Sequence, residues 1–61
     1  MNIEEKTKAQ IKRWVKVRRK RKITQEDMSK ITGVSRSNIA NFERLRVNNM
    51  YLYSYYHIMF D

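Results

Sequence analysis

Apolar and polar positions along the chain mark a succession of short helices. From Glu4 to Lys20, at about 100° per residue, Ile3, Thr7, Ile11, Trp14, Val15 and Arg18 share one face, and lysines and arginines cover the rest. Arg18 is an odd residue to find on an apolar stripe and calls for a buried or half-buried partner. Thr24 is placed to cap a second helix, with Asp27 three residues on to complete a box-like cap. Glu26 and Asp27 suit the positive end of that helix. Met28 and Ile31 are its apolar stripe, with Ser29 beside them, and Gly33 ends it as a left-handed residue. Ser35 caps a third helix, with Ile39 and Phe42 facing inward.

The break between the second and third helices is Gly33-Val34-Ser35, the length of a helix–turn–helix connection. Asn49 is placed to cap a last helix from Met50 to Phe60. Met50, Tyr53, His57 and Phe60 share one of its faces. Leu52, Tyr55, Tyr56 and Met59 cover much of the other side, and Tyr51 and Ile58 lie elsewhere. A helix apolar nearly all round is buried on more than one side. A chain this short does not easily do that alone, so Leu52, Tyr55, Tyr56 and Met59 are the expected homodimer interface. His57 is expected as a packed core histidine, and Trp14 as core.

Composition narrows the classes. The chain has 61 residues, 14 Lys+Arg against 6 Asp+Glu, a net charge of +8, no Cys, no Pro and one Gly. One domain with one small core fits that length, with residues 1–9 as a fraying extension of the first helix. No Cys and a single His leave neither a disulfide framework nor a metal-ligand cluster, and no cofactor is expected. No nucleophile has a plausible His–acid partner, so catalysis is not expected. No run approaches the about 18 apolar residues of a membrane span, and the charged start is not a signal peptide. Ten of the 14 basic residues lie between Lys6 and Lys22, whereas five of the seven aromatics lie between Tyr51 and Phe60. Such a charge points to an anionic partner, nucleic acid or an acidic membrane surface. Arg18 in mid-stripe argues against the membrane.

The segment from Thr24 to Glu43, TQEDMSKITGVSRSNIANFE, resembles the helix–turn–helix of the Cro and phage-repressor (XRE-like) family. Gln25, the small Ser29, the turn residue Gly33, the inward Ile39 and Phe42, and the acid Glu43 stand at that family's spacing. The likeness extends from about Arg18 to Phe60. It implies an all-α, lambda-repressor-like bundle of four or five helices. It also implies that Gln25 contacts DNA phosphate and that Glu43 pairs with Arg18. Two departures concern the loop after the third helix. Leu45 stands where the family often has glycine, and Val47-Asn48-Asn49 stand where it often has proline.

The side of the third helix opposite Ile39 and Phe42 carries Arg36, Ser37, Ala40, Asn41 and Arg44. Arg36 suits a bidentate contact to guanine, Asn41 suits adenine, and Ala40 allows close approach. Ser35, Asn38 and Arg44 suit phosphates. The expected function is therefore that of a small, cytoplasmic, phage- or plasmid-type repressor. It would bind double-stranded DNA as a homodimer in a bacterial host. The alternative is a module of the same fold that binds and modulates a host protein.

Overall fold

The computed structural model describes residues 4–61. They form four helices, α1 (Glu5–Lys20), α2 (Gln25–Thr32), α3 (Arg36–Glu43) and α4 (Met50–Phe60). The expected place of Ile3 on the first stripe lies outside these residues. Residues 5–9 are the opening turns of α1, with Lys8 N–H bonded to Glu4 O at 2.9 Å.

Local chemistry sets each boundary. The Thr24 hydroxyl accepts from Asp27 N–H at 3.0 Å, and the Asp27 carboxylate accepts from Thr24 N–H at 2.9 Å. Two of the donors left over at the start of α2 are thereby satisfied. Ser35 and Asn49 cap α3 and α4 by accepting from Asn38 and Leu52 N–H. Gly33 closes α2 at φ +75°, its N–H on Ser29 O.

Two other helices end on left-handed residues that are not glycine. Lys22 has φ +60° and Leu45 has φ +64°. Each sits at the turning position of a Schellman motif. After α1, Lys22 N–H reaches Arg19 O and Ile23 N–H reaches Arg18 O. After α3, Leu45 N–H reaches Phe42 O and Arg46 N–H reaches Asn41 O. The expected glycine position at Leu45 thus keeps the glycine-like backbone without the glycine.

The core draws on all four helices: Ile11, Trp14, Met28, Ile39, Phe42, Leu52, Tyr56 and Phe60. The Tyr56 ring lies between Phe42 and Phe60, 5.0 and 5.5 Å away between centroids. Trp14 is fully buried and stands edge-on to Tyr53 at 4.8 Å. Its indole N–H has no hydrogen-bond partner among the described residues.

Three expectations are corrected by this packing. The inward face of α4 is Leu52, Tyr56 and Phe60, spaced i, i+4, i+8. Leu52 and Tyr56 are fully enclosed by their own chain and have no surface left for a dimer interface. Of the four interface candidates, only Tyr55 and Met59 keep partial exposure. His57 is not a core histidine: it is exposed, its ring tilted against Trp14 and its Nδ1 3.0 Å from Asp61. On α2, Thr32 replaces Ile31 as the second inward residue; Ile31 is 47% exposed. Thr32 tolerates burial because its hydroxyl donates to Met28 O at 2.7 Å and accepts from Val34 N–H at 3.2 Å.

Candidate nucleic-acid interface

The orientation of α3 is set by one carboxylate at its end. Glu43 accepts hydrogen bonds from each of the other three helices. From α1, Arg18 Nε and Nη2 donate at 2.7 and 2.8 Å. From α2, Gln25 Nε2 donates at 3.0 Å. From α4, Tyr56 Oη donates at 2.5 Å. Each carboxylate oxygen takes two donors, which fills the acceptor capacity of the ion. The remaining arm of Arg18, Nη1, donates to Ile23 O at 2.6 Å and ties the same cluster to the turn before α2.

The charge is held in a nearly dry site, the Arg18 and Glu43 side chains being 6% and 4% exposed. Burial pushes the Glu43 carboxyl up. The hydrogen bonds from Arg18, Tyr56 and Gln25 outweigh it, and the net shift is downward. The Tyr56 phenol moves the other way, raised by burial first and then by the carboxylate it serves. Tyr56 therefore stays a donor well above the pH at which Glu43 ionises. The result is a four-helix clasp of matched donors and acceptors, and its effect is to fix α3 against the body of the domain.

With Ile39 and Phe42 inside, the outward face of α3 is fixed. Arg36, Ser37, Asn38 and Arg44 are exposed, whereas Ala40 and Asn41 are half-buried. A shallow groove of about 370 Å³ is lined by Gln25, Arg36, Ser37, Ala40 and Arg44. It brings the start of α2 beside the reading side of α3. A second groove joins it at Arg18, Thr24, Gln25, Glu26 and Arg36. Four of the seven expected DNA-contacting residues line the first groove, Gln25, Arg36, Ser37 and Arg44, whereas the half-buried Asn41 does not. Ser35 and Asn38 do not line it, and the Ser35 hydroxyl already accepts the Asn38 N–H. Gln25 is shared between the groove and Glu43, and its second amide hydrogen and its carbonyl oxygen remain for a ligand.

A helix pair joined by three residues, with a polar outer face on its second member, is the geometry that enters a major groove. A family model described as a helix-turn-helix domain matches residues 11–56. The chain belongs to this family, a helix-turn-helix class of the XRE-like kind. No curated protein and no solved structure matches the chain.

Family and geometry together make the helix-turn-helix chain a DNA-binding regulator in the general sense, working where DNA is present. No helix among the described residues is long and apolar enough to cross a membrane. Sequence reasoning missed two members of the clasp, Gln25 and Tyr56 as donors to Glu43. Gln25 carried a signal in its residue type at the helix start. Tyr56 carried none, because α4 is apolar on every side. Arg46, exposed in the loop after α3, is a further cation beside Arg44.

Proposed function

We propose that the protein is a sequence-specific regulator of double-stranded DNA, a small repressor of phage or plasmid type that acts in the bacterial cytoplasm as a homodimer. The observation that carries this reading is the rigid presentation of α3. Glu43 clasps its end, Ile39 and Phe42 anchor its inner side, and the opposite side offers Arg36, Ser37, Asn41 and Arg44 to a groove. In this reading Arg36 pairs with guanine and Asn41 with adenine, while Ser35, Asn38, Arg44 and Gln25 hold phosphates.

One helix with two bidentate contacts discriminates by about 1–3 kcal/mol per base, too little to select one site in a genome. Two copies reading half-sites about 34 Å apart supply the rest. The surface that suits the pairing is the outer face of α4. Tyr51 and Ile58 are 53% and 81% exposed, and Tyr55 stands between them, its ring 5.3 Å from that of Tyr51. Tyr51 Oη donates to Thr32 O at 2.8 Å, which ties the patch to the end of α2. Exposed aromatic and aliphatic side chains in one patch are the composition of interface cores.

The same patch also favours a second reading, capture of a host protein by a monomer. Selection from random duplexes, with the mass of the bound species measured, tests both. A recovered palindromic site bound by two copies supports the dimeric regulator. A monomer that selects no sequence supports the host-protein module.

A further inference from the structure

Eight basic residues and no acidic one lie between Lys12 and Lys22. The structure already employs three of them. Arg18 is clasped to Glu43, Arg13 is paired with Asp61, and Arg21 donates to Met59 O at 2.9 Å while lying over the Phe60 ring. Lys22 forms the turn after α1. The remaining four, Lys12, Lys16, Arg19 and Lys20, are exposed and have no salt-bridge partner among the described residues. They recur at i, i+4, i+7 and i+8 and so form one stripe, about 12 Å long at 1.5 Å per residue. A shallow groove of about 460 Å³ runs beside it, lined by Ala9, Lys12, Arg13 and Lys16. Like charges four apart destabilise a helix, so the stripe has no structural use of its own.

Its placement separates it from the reading surface. α1 turns Ile11, Trp14 and Arg18 toward α3 and α4, so the lysine stripe points away from them. α3 turns Ile39 and Phe42 inward, so its reading side faces outward from the core. The stripe and the reading side of α3 are thus separate cationic surfaces on different helices of a body measuring 27 × 21 × 17 Å.

We propose that the outer face of α1 binds the phosphate backbone of a second DNA duplex, so that one molecule holds two DNA segments together. The proposal rests on the DNA-binding reading of α3 and adds a second site to it. Recognition there is by charge alone: four cations along about 12 Å face several successive phosphates of one strand, with no contact to base edges. Such binding is independent of sequence and weakens steeply with salt.

The test is a bridging assay with the full chain. A duplex carrying the selected site is fixed to beads, and a fluorescent duplex without it is added at about 50 mM salt. Wild-type protein is expected to retain the free duplex on the beads, and about 200 mM salt to release it. The variant K12Q/K16Q/R19Q/K20Q is expected to fold, by circular dichroism, and to footprint the site as wild type does. Its retention of the second duplex should fall by about tenfold or more, as loss of several phosphate contacts dictates. Undiminished bridging by this variant overturns the proposal. So does a shallower salt dependence for the single bound site, which would put the stripe on the first duplex. Retention of one duplex without bridging by the wild type overturns this proposal but leaves the α3 reading intact; no DNA binding at all overturns that reading itself. Flotation with phosphatidylserine vesicles that depends on the four cations, without bridging, assigns the stripe to lipid and overturns it as well.

Discussion

Arg18 and Glu43 meet through two parallel hydrogen bonds of 2.7 and 2.8 Å, with both side chains almost wholly out of water. The pair is what allows a charge to stand on the apolar stripe of α1. Arg18 alone would be a buried cation, and Glu43 alone a buried anion. Together with Gln25 and Tyr56 they form a neutral, fully bonded group at the junction of four helices.

Breaking one side of this pair is expected to be severe. Glu43→Ala leaves Arg18 buried without a counter-charge, at a cost of about 3–5 kcal/mol. A chain of this length has about 3–9 kcal/mol of stability in all. Urea unfolding at pH 7 should find Glu43→Ala about 3–5 kcal/mol less stable than the wild type, a third or more of the total. The double variant Arg18→Met/Glu43→Leu removes both charges and should recover most of the loss. Equal destabilisation of the single and double variants would show that the pair is not a coupled unit.

Tyr56→Phe keeps the ring between Phe42 and Phe60 and removes only the donor to Glu43. A hydrogen bond to a charged group contributes about 1.5–3 kcal/mol. Chemical denaturation should show a loss of that order, with the slope of the transition unchanged. A loss under about 0.5 kcal/mol would mean that the short contact carries little energy.

Acid should weaken the fold through the same carboxylate. The Glu43 pKa is lowered in the folded chain, so the unfolded chain takes up the proton first as pH falls. The stabilisation from Glu43 is complete above the ordinary value of 4.5 and is lost progressively below it. Asp27 acts with the same sign, its carboxylate held low by the Thr24 N–H. Thermal melts of Asp27→Asn between pH 7 and pH 3 isolate the Glu43 contribution. That variant should still lose stability below pH 4.5, and adding Arg18→Met/Glu43→Leu to it, which removes the carboxylate together with its buried cation, should make the loss much smaller. Parallel pH profiles for the two would contradict the assignment.

Much of the fold was legible because local chemistry states it locally. Thr24 with Asp27, Ser35, Asn49 and Gly33 each act within a few residues, and each sits where its residue type requires. Ile39 and Phe42 showed the inner face of α3, and hence its outer face, because that helix is amphipathic. Arg18 was conspicuous for being misplaced. The phase of α4 was not legible. With nearly every residue of that helix apolar, the pattern has a period but no preferred direction. The inward set became Leu52, Tyr56 and Phe60 only through contact with Phe42 and Glu43. His57, Leu52 and Tyr56 were misassigned for this reason.

The left-handed backbone at Lys22 and Leu45 was hidden in another way, since neither residue type favours it. A non-glycine residue in that region costs about 1–2 kcal/mol. Glycine relieves this and gives back about 0.5–1 kcal/mol in unfolded-chain entropy. Lys22 is exposed, so Lys22→Gly should raise stability by about 0.5–1 kcal/mol. Leu45 packs against the core, so Leu45→Gly should gain less or nothing. A loss of stability in Lys22→Gly would contradict the turn geometry.

The central claim is that the outer side of α3 reads bases. Its most direct test is footprinting of the selected site by Arg36→Ala and Asn41→Ala at stated salt, beside the wild type. Both variants should stay folded and keep salt-sensitive, non-specific binding. Each should lose about 1–3 kcal/mol of preference for its own base pair. If both protect the same site with wild-type affinity and unchanged base preference, α3 is not the reading element.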